Sequence, residues 1–127
     1  MRTTMTWSET WAGTTRRPMA LHIKHGVRIQ GLTPETVLAL QVIEGAFRDA
    51  GYNCVLTSGV DGKHSSGSLH YVGCAVDLRT RDIPEQKREP LRQEIARRLG
   101  PDFDVVLEKD HLHIEHQPKV PLSHAVA

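Results

Sequence analysis

Two short stretches of the chain concentrate side chains able to do chemistry. Residues 68–77 carry Ser68, His70, Gly73, Ala75 and Asp77; about thirty residues later, residues 110–115 carry Asp110, His111, His113 and Glu115. Together they offer two imidazoles and a carboxylate able to hold one zinc ion, with acids and histidines to spare for moving protons beside it. That is the chemistry of a hydrolase.

The spacing within each stretch says how the backbone must present these groups. On a strand successive side chains alternate faces, so Asp77 shares a face with Ala75, while Cys74, Val76 and Leu78 point the other way into a core. A methyl-sized neighbour leaves room for an ion above the sheet. His70 stands seven residues before Asp77 and cannot share its face on one regular strand, so the chain must turn between them. Gly73 permits that turn, because glycine tolerates backbone angles and close approaches that other residues do not. In the second stretch alternation puts His111, His113 and Glu115 on one face and Leu112 and Ile114 on the apolar one. Taken alone, the first stretch reads more readily as a loop histidine and a solvated aspartate, and the second can be read as the exposed face of an edge strand. Five titratable groups in the seven positions 110–116, His116 included, favour a sheet face that floors a cleft.

The elements that must position these groups follow from pattern. Residues 1–19 are Thr-rich and broken by Arg16-Arg17-Pro18; Trp7 and Trp11 suit one docked turn, and otherwise the segment is a loosely held arm. Leu21 and Ile23 alternate with polar neighbours, and Gly26 precedes Val27 and Ile29, which predicts a short hairpin or two brief strands. The strongest helix signal follows: Thr33 as cap, Pro34 at the first helical position, Val37, Leu40, Ile43 or Glu44, and Phe47 at helical spacing, and Gly51 as the stop. A buried strand is expected over 54–57, a Gly- and Ser-rich surface loop over 58–68, and a strand over 74–78. Asp82 with Glu85 reads as a capping box opening a second helix on which Leu91, Ile95 and Leu99 lie four apart. Gly100-Pro101 ends that helix, and Pro90 is expected to kink or divide it. Strands over 103–107 and 111–115 close the fold before a polar tail. The order β-α-β-β-α-β-β predicts an α+β domain, with a small, mainly antiparallel sheet and helices on one side. The expected organisation is an arm over 1–19, a domain over 20–118 and a tail over 119–127.

Composition narrows the function classes. A chain of 127 residues, 39% of them hydrophobic, suits one compact domain with a real core. The formal net charge is +1 and aromatics are 5%, so neither a nucleic-acid footprint nor a base-stacking surface is expected. No apolar run reaches a membrane-spanning length and no signal-peptide pattern is seen, so a protein made in the cytoplasm and not inserted in a membrane is expected. Cys54 and Cys74 are too few and too far apart for a zinc ribbon. Two buried thiols are favoured over a disulfide, although predicted neighbouring strands leave a bridge open.

These residues resemble a family: the zinc D-Ala-D-Ala carboxypeptidases and dipeptidases and the L-alanyl-D-glutamate endopeptidases of phage endolysins, which share a fold with the Hedgehog signalling domain. The family's first motif, S-x-H-x-x-G-x-A-x-D, is met at Ser68, His70, Gly73, Ala75 and Asp77. Its second, an acid three residues before a histidine and often within a His-x-His, is met at Asp110, His111 and His113. The resemblance covers roughly residues 32–117 and includes Thr57-Ser58-Gly59 leading into the loop. It implies that His70, Asp77 and His113 bind one zinc ion and leave a fourth position open for water, the arrangement of catalytic rather than structural zinc. It further implies Asp110 as the general base and His111 as a group that stabilises the oxyanion or orients the base. Strict alternation puts Asp110 on the opposite face from His113, so either a twist or bulge begins the strand there or the base is Glu108 or Glu115.

One departure bears on substrate. Many members carry an arginine shortly after the Ser-Gly, where it holds a substrate carbonyl or carboxylate; here Ser58-Gly59 is followed by Val-Asp-Gly-Lys63-His64. Lys63 or His64 would have to substitute, with Ser68 as a further hydrogen-bonding partner, and a lysine offers a point charge rather than a planar fork. That favours an endopeptidase cut over a carboxypeptidase one. The resemblance thus implies a monomeric peptidase acting on peptidoglycan stem peptides at the cell wall, reached by phage-mediated release. The alternative is a zinc-bearing wall-binding or phage structural module of the same fold without activity.

Overall fold

The computed structural model describes residues 18–60 and 72–119. Within them the chain forms β1 (Leu21–Ile23), α1 (Pro34–Ala50), β2 (Cys54–Ser58), β3 (Ala75–Arg79), α2 (Glu85–Leu99), β4 (Phe103–Leu107) and β5 (His111–His116). The five strands make one sheet in the order β1-β2-β3-β5-β4. β1 runs parallel to β2, and the remaining pairs are antiparallel. This is the α+β architecture expected, with two helices packed on the sheet.

The first helix forms where the local signals put it. Thr33 accepts a hydrogen bond from the Thr36 backbone N–H, Pro34 opens the helix, and Gly51 closes it at φ 91°. Leu40, Ile43, Glu44 and Phe47 are buried as the spacing requires, but Val37 stays 45% exposed. Glu44 is held by the Ala20 N–H at 3.2 Å and by Arg48 at 3.6 Å, which ties the start of the domain to the helix.

Three expectations are corrected. Residues 27–29 form no strand: Gly26 turns the chain, and β1 finds its partner in the distant β2 across α1, as parallel pairing needs. α2 begins behind Pro84 with no side-chain cap, so Asp82 and Glu85 make no capping box. Pro90 does not divide α2, which runs unbroken from Glu85 to Leu99 and buries Leu91 and Ile95.

One face of the sheet carries the core. Leu56, Leu78, Leu112 and Ile114 have essentially no exposed surface and pack with Ile43, Phe47 and Ile95 of the helices. Each such side chain contributes about 1.5–3 kcal/mol over exposure. Both cysteines are free, Cys54 buried and Cys74 partly exposed. They precede or open strands that run antiparallel, so they lie at opposite ends of the β2–β3 pair and no bridge spans them. Among the described residues no helix is long and apolar enough to cross a membrane.

Candidate active site

The opposite face of the sheet carries the polar residues. In the β3–β5 register Ala75 opposes Glu115, Asp77 opposes His113 and Arg79 opposes His111. Because pleat and register agree, the six side chains stand on one face while Val76, Leu78, Leu112 and Ile114 fill the other. The alternation read from the sequence is thus realised, and two stretches 36 residues apart are joined by a direct cross-strand pair at Asp77 and His113.

His113 sits at the centre. Its Nδ1 lies 3.0 Å from Asp77 Oδ1 and its Nε2 lies 2.6 Å from Glu115 Oε1. With a carboxylate at each ring nitrogen, the imidazole donates from both and is held as a cation. The hydrogen bond to Asp77 raises its pKa to about 9, with Glu115 adding to the effect and partial burial opposing it. His111 extends the array: Nδ1 is 2.7 Å from Asp110 Oδ1, and Nε2 is 3.8 Å from Asp77 Oδ2. The run Asp110, His111, Asp77, His113, Glu115 thus alternates carboxylate and imidazole across two strands.

Asp110 reaches this array without a bulge in β5. It lies in the turn between β4 and β5, closed by the Glu108 N–H donating to the His111 carbonyl at 2.8 Å, so strand alternation does not govern it. Its side chain is 81% exposed, and the hydrogen bond from His111 holds its carboxyl below the usual range. A bulge does occur on β2, where Leu56 opposes Leu78 but Ser58 already opposes Asp77. This extra residue re-aims the strand end, and Thr57 Oγ1 donates to the Asp77 carbonyl at 3.3 Å.

Asp77, His111 and Asp110 line one cavity of about 320 Å³ with Thr57 and Ser58. Neither alternative base, the exposed Glu108 nor Glu115, lines it. His116 points to the other face, its ring 4.8 Å from that of Phe103.

Gly73 shows why the first motif needs a glycine. Its φ is +78°, and a Cβ there would stand 2.0 Å from the Gly31 carbonyl oxygen. The Gly73 carbonyl in turn accepts from the Thr33 N–H at 3.0 Å, so the turn before β3 is tied to the cap of α1.

Of the residues singled out from the sequence, the fold brings together Asp77, His113, Asp110 and His111, whereas Lys63, His64, Ser68 and His70 lie outside the described residues. Among the described residues no three His, Cys, Asp or Glu side chains converge to hold a metal ion. The two expected ligands that are described, Asp77 and His113, stand at a separation compatible with one. Bonds of about 2.0–2.1 Å in a tetrahedral shell set two ligand atoms about 3.3 Å apart, close to the 3.0 Å between Asp77 Oδ1 and His113 Nδ1. Glu115 behind His113 supplies what metal-binding histidines ordinarily have, a carboxylate on the second ring nitrogen that fixes tautomer and orientation. From the sequence Glu115 reads as a polar residue on the site's face and as an alternative base, not as the partner of His113; its i, i+2 spacing from His113 is the signal for that role.

No family model matches the chain, and no curated protein matches it. The side chains themselves therefore carry the functional reading.

Proposed function

We infer that this protein is a zinc-dependent peptidase that hydrolyses an amide bond in peptidoglycan stem peptides. The observation that carries this reading is the Asp77–His113–Glu115 alignment, two facing donor atoms backed by an orienting carboxylate, in which Asp77 also lines the cavity that the Asp110–His111 pair lines.

In this reading Asp77 and His113 hold the ion together with His70. Once bound, zinc acidifies a water and polarises the scissile carbonyl. Glu115 keeps the Nε2 proton of His113 and so leaves Nδ1 as the donor atom. Asp110, exposed at the cavity rim and ionised well below neutral pH, is the group that accepts the water's proton and returns it to the leaving amine. His111 donates to Asp110 and stands between it and Asp77, which suits it to orient the base rather than to meet an oxyanion.

The test is digestion of purified peptidoglycan by zinc-loaded protein with mass spectrometry of the released peptides. A defined mass loss, abolished by chelation and restored by zinc, is expected and names the bond. Zinc bound at one equivalent without any product would make the chain an inactive zinc-bearing wall module. Full turnover in a strong chelator would end the metal reading.

A further inference from the structure

The cavity that holds Asp77, His111 and Asp110 has a second character. Three cations line it as well: Lys24, just past β1, Arg79 at the end of β3, and Arg81 two residues further. Four of the five helix arginines pair with carboxylates, Arg48 with Glu44, Arg92 with Glu89, Arg97 with Glu94, and Arg98 with both Glu94 and Asp49, while Arg88 donates to the Ile83 carbonyl. Among the described residues Lys24, Arg79 and Arg81 meet no carboxylate. The two carboxylates on the same wall are engaged elsewhere, Asp77 by His113 and Asp110 by His111. Three unanswered cations against two engaged carboxylates leave the cavity short of negative charge, and an ion on Asp77 and His113 would deepen the deficit.

Placement adds chemistry to charge. Arg79 opposes His111 in the β3–β5 register, two residues along β3 from Asp77, so its guanidinium shares the face on which the reaction would occur. A planar guanidinium pairs with a carboxylate through two parallel N–H···O bonds, and a second arginine with a lysine opposite can close around the same anion. A cavity of about 320 Å³ suits a ligand of dipeptide size.

We propose that Arg79 and Arg81, with Lys24, form a subsite for a free carboxylate of the peptide substrate, next to the residues that would cleave it. The subsite deepens the peptidase reading and rests on it for the word substrate, but the anion binding itself does not. It also restores a carboxylate clamp that the loop after Ser58-Gly59 lacks. The same chemistry is offered by a terminal D-alanine carboxylate and by the carboxylate of a D-glutamate residue.

The experiment is calorimetric titration of the full chain, stripped of metal so that no probe is consumed, with N-acetyl-D-alanyl-D-alanine, N-acetyl-L-alanyl-D-glutamate and the carboxamide form of each. At least one acid should bind about tenfold or more tighter than its amide. The acid that shows the larger preference identifies the source. Arg79→Gln and Arg81→Gln should each reduce that preference about tenfold, Arg79→Lys should recover part of it, and Arg97→Gln, which removes a remote charge, should leave it unchanged. Folding of each variant is checked by circular dichroism. Equal binding of acid and amide, no binding of either, or an undiminished preference in a folded Arg79→Gln/Arg81→Gln double variant overturns the subsite. Peptidoglycan turnover by the zinc-loaded parent is read separately. Turnover without acid preference removes the subsite and leaves the peptidase, whereas acid preference without turnover does the reverse.

Discussion

Asp77 and His113 face each other across β3 and β5, Oδ1 to Nδ1 at 3.0 Å, with Glu115 closing on the far ring nitrogen at 2.6 Å. The imidazole is thereby a proton-holding group in the metal-free protein, with a pKa raised from 6.5 to about 9. A group that holds its proton more tightly when folded stabilises the fold fully below its unfolded pKa, and the contribution is lost as pH rises through the folded value. The metal-free chain should therefore lose on the order of 3 kcal/mol of stability between pH 6.5 and 9.5 from this residue alone. Urea denaturation in chelator across that range measures it, and His113→Gln should flatten the slope. A parent protein with the same midpoint at both ends would show that the two carboxylates do not hold the proton.

The same triad makes a separate prediction with metal present. In the proposed site Glu115 acts through His113, its contact at Nε2 setting which ring nitrogen is left for the ion. Removing it in Glu115→Ala should weaken zinc binding about 10- to 100-fold, read by competition with a coloured chelator. Glu115→Gln, whose side-chain oxygen still accepts from Nε2, should retain more affinity than the alanine variant. In the metal-free protein near pH 7.5, nitrogen-15 shifts of the His113 ring should show a doubly protonated imidazolium in the parent and a larger neutral fraction in Glu115→Ala, which has lost one of the two carboxylates that hold the proton. Unchanged affinity and unchanged ring protonation in Glu115→Ala would leave Glu115 as a bystander.

How much of this was legible beforehand depended on whether the signal was local. α1 could be placed end to end because Thr33, Pro34 and Gly51 act on their own neighbours. The site's face was readable for a similar reason, since a period of two assigns Asp77, His113 and Glu115 once the strands are found. Long-range choices were not. Residues 27–29 have strand-like composition, but a strand exists only with a partner, and β2 takes β1 instead. Asp82 and Glu85 have capping-box spacing, yet Pro84 sets where α2 can begin. Asp110 posed a conflict only while it was counted as part of β5; a turn frees it. That Lys24, Arg79 and Arg81 line one cavity required the fold, because Lys24 follows β1 and the two arginines stand at the end of β3.

Gly73 should prove the least replaceable glycine among those described. Gly26 and Gly51 also have positive φ, but a Cβ at either meets nothing within 4 Å, whereas at Gly73 it would meet the Gly31 carbonyl oxygen at 2.0 Å. Alanine at Gly26 or Gly51 should cost about 1–2 kcal/mol for the left-handed backbone. Alanine at Gly73 should cost that and more, above about 3 kcal/mol, because a backbone carbonyl must move. Chemical denaturation of the three variants decides it; equal losses would mean the turn yields easily.

Asp110 gives the sharpest division between holding an ion and using it. Its carboxyl is exposed and bound to His111, and it lies in the turn before β5, outside the Asp77–His113 contact. Asp110→Ala should therefore keep one equivalent of zinc and a parent-like fold while lowering kcat about 10²- to 10⁴-fold, the range for loss of a positioned base. Asp77→Ala and His113→Ala should lose both the zinc and the activity. His111→Ala should fall between, keeping zinc and losing less than Asp110→Ala, because an exposed carboxylate still accepts a proton when nothing orients it. Metal analysis beside steady-state hydrolysis of stem peptides separates the three behaviours. Parent-like turnover by Asp110→Ala would pass the proton to another group, and loss of zinc in that variant would make Asp110 part of the ion's own shell.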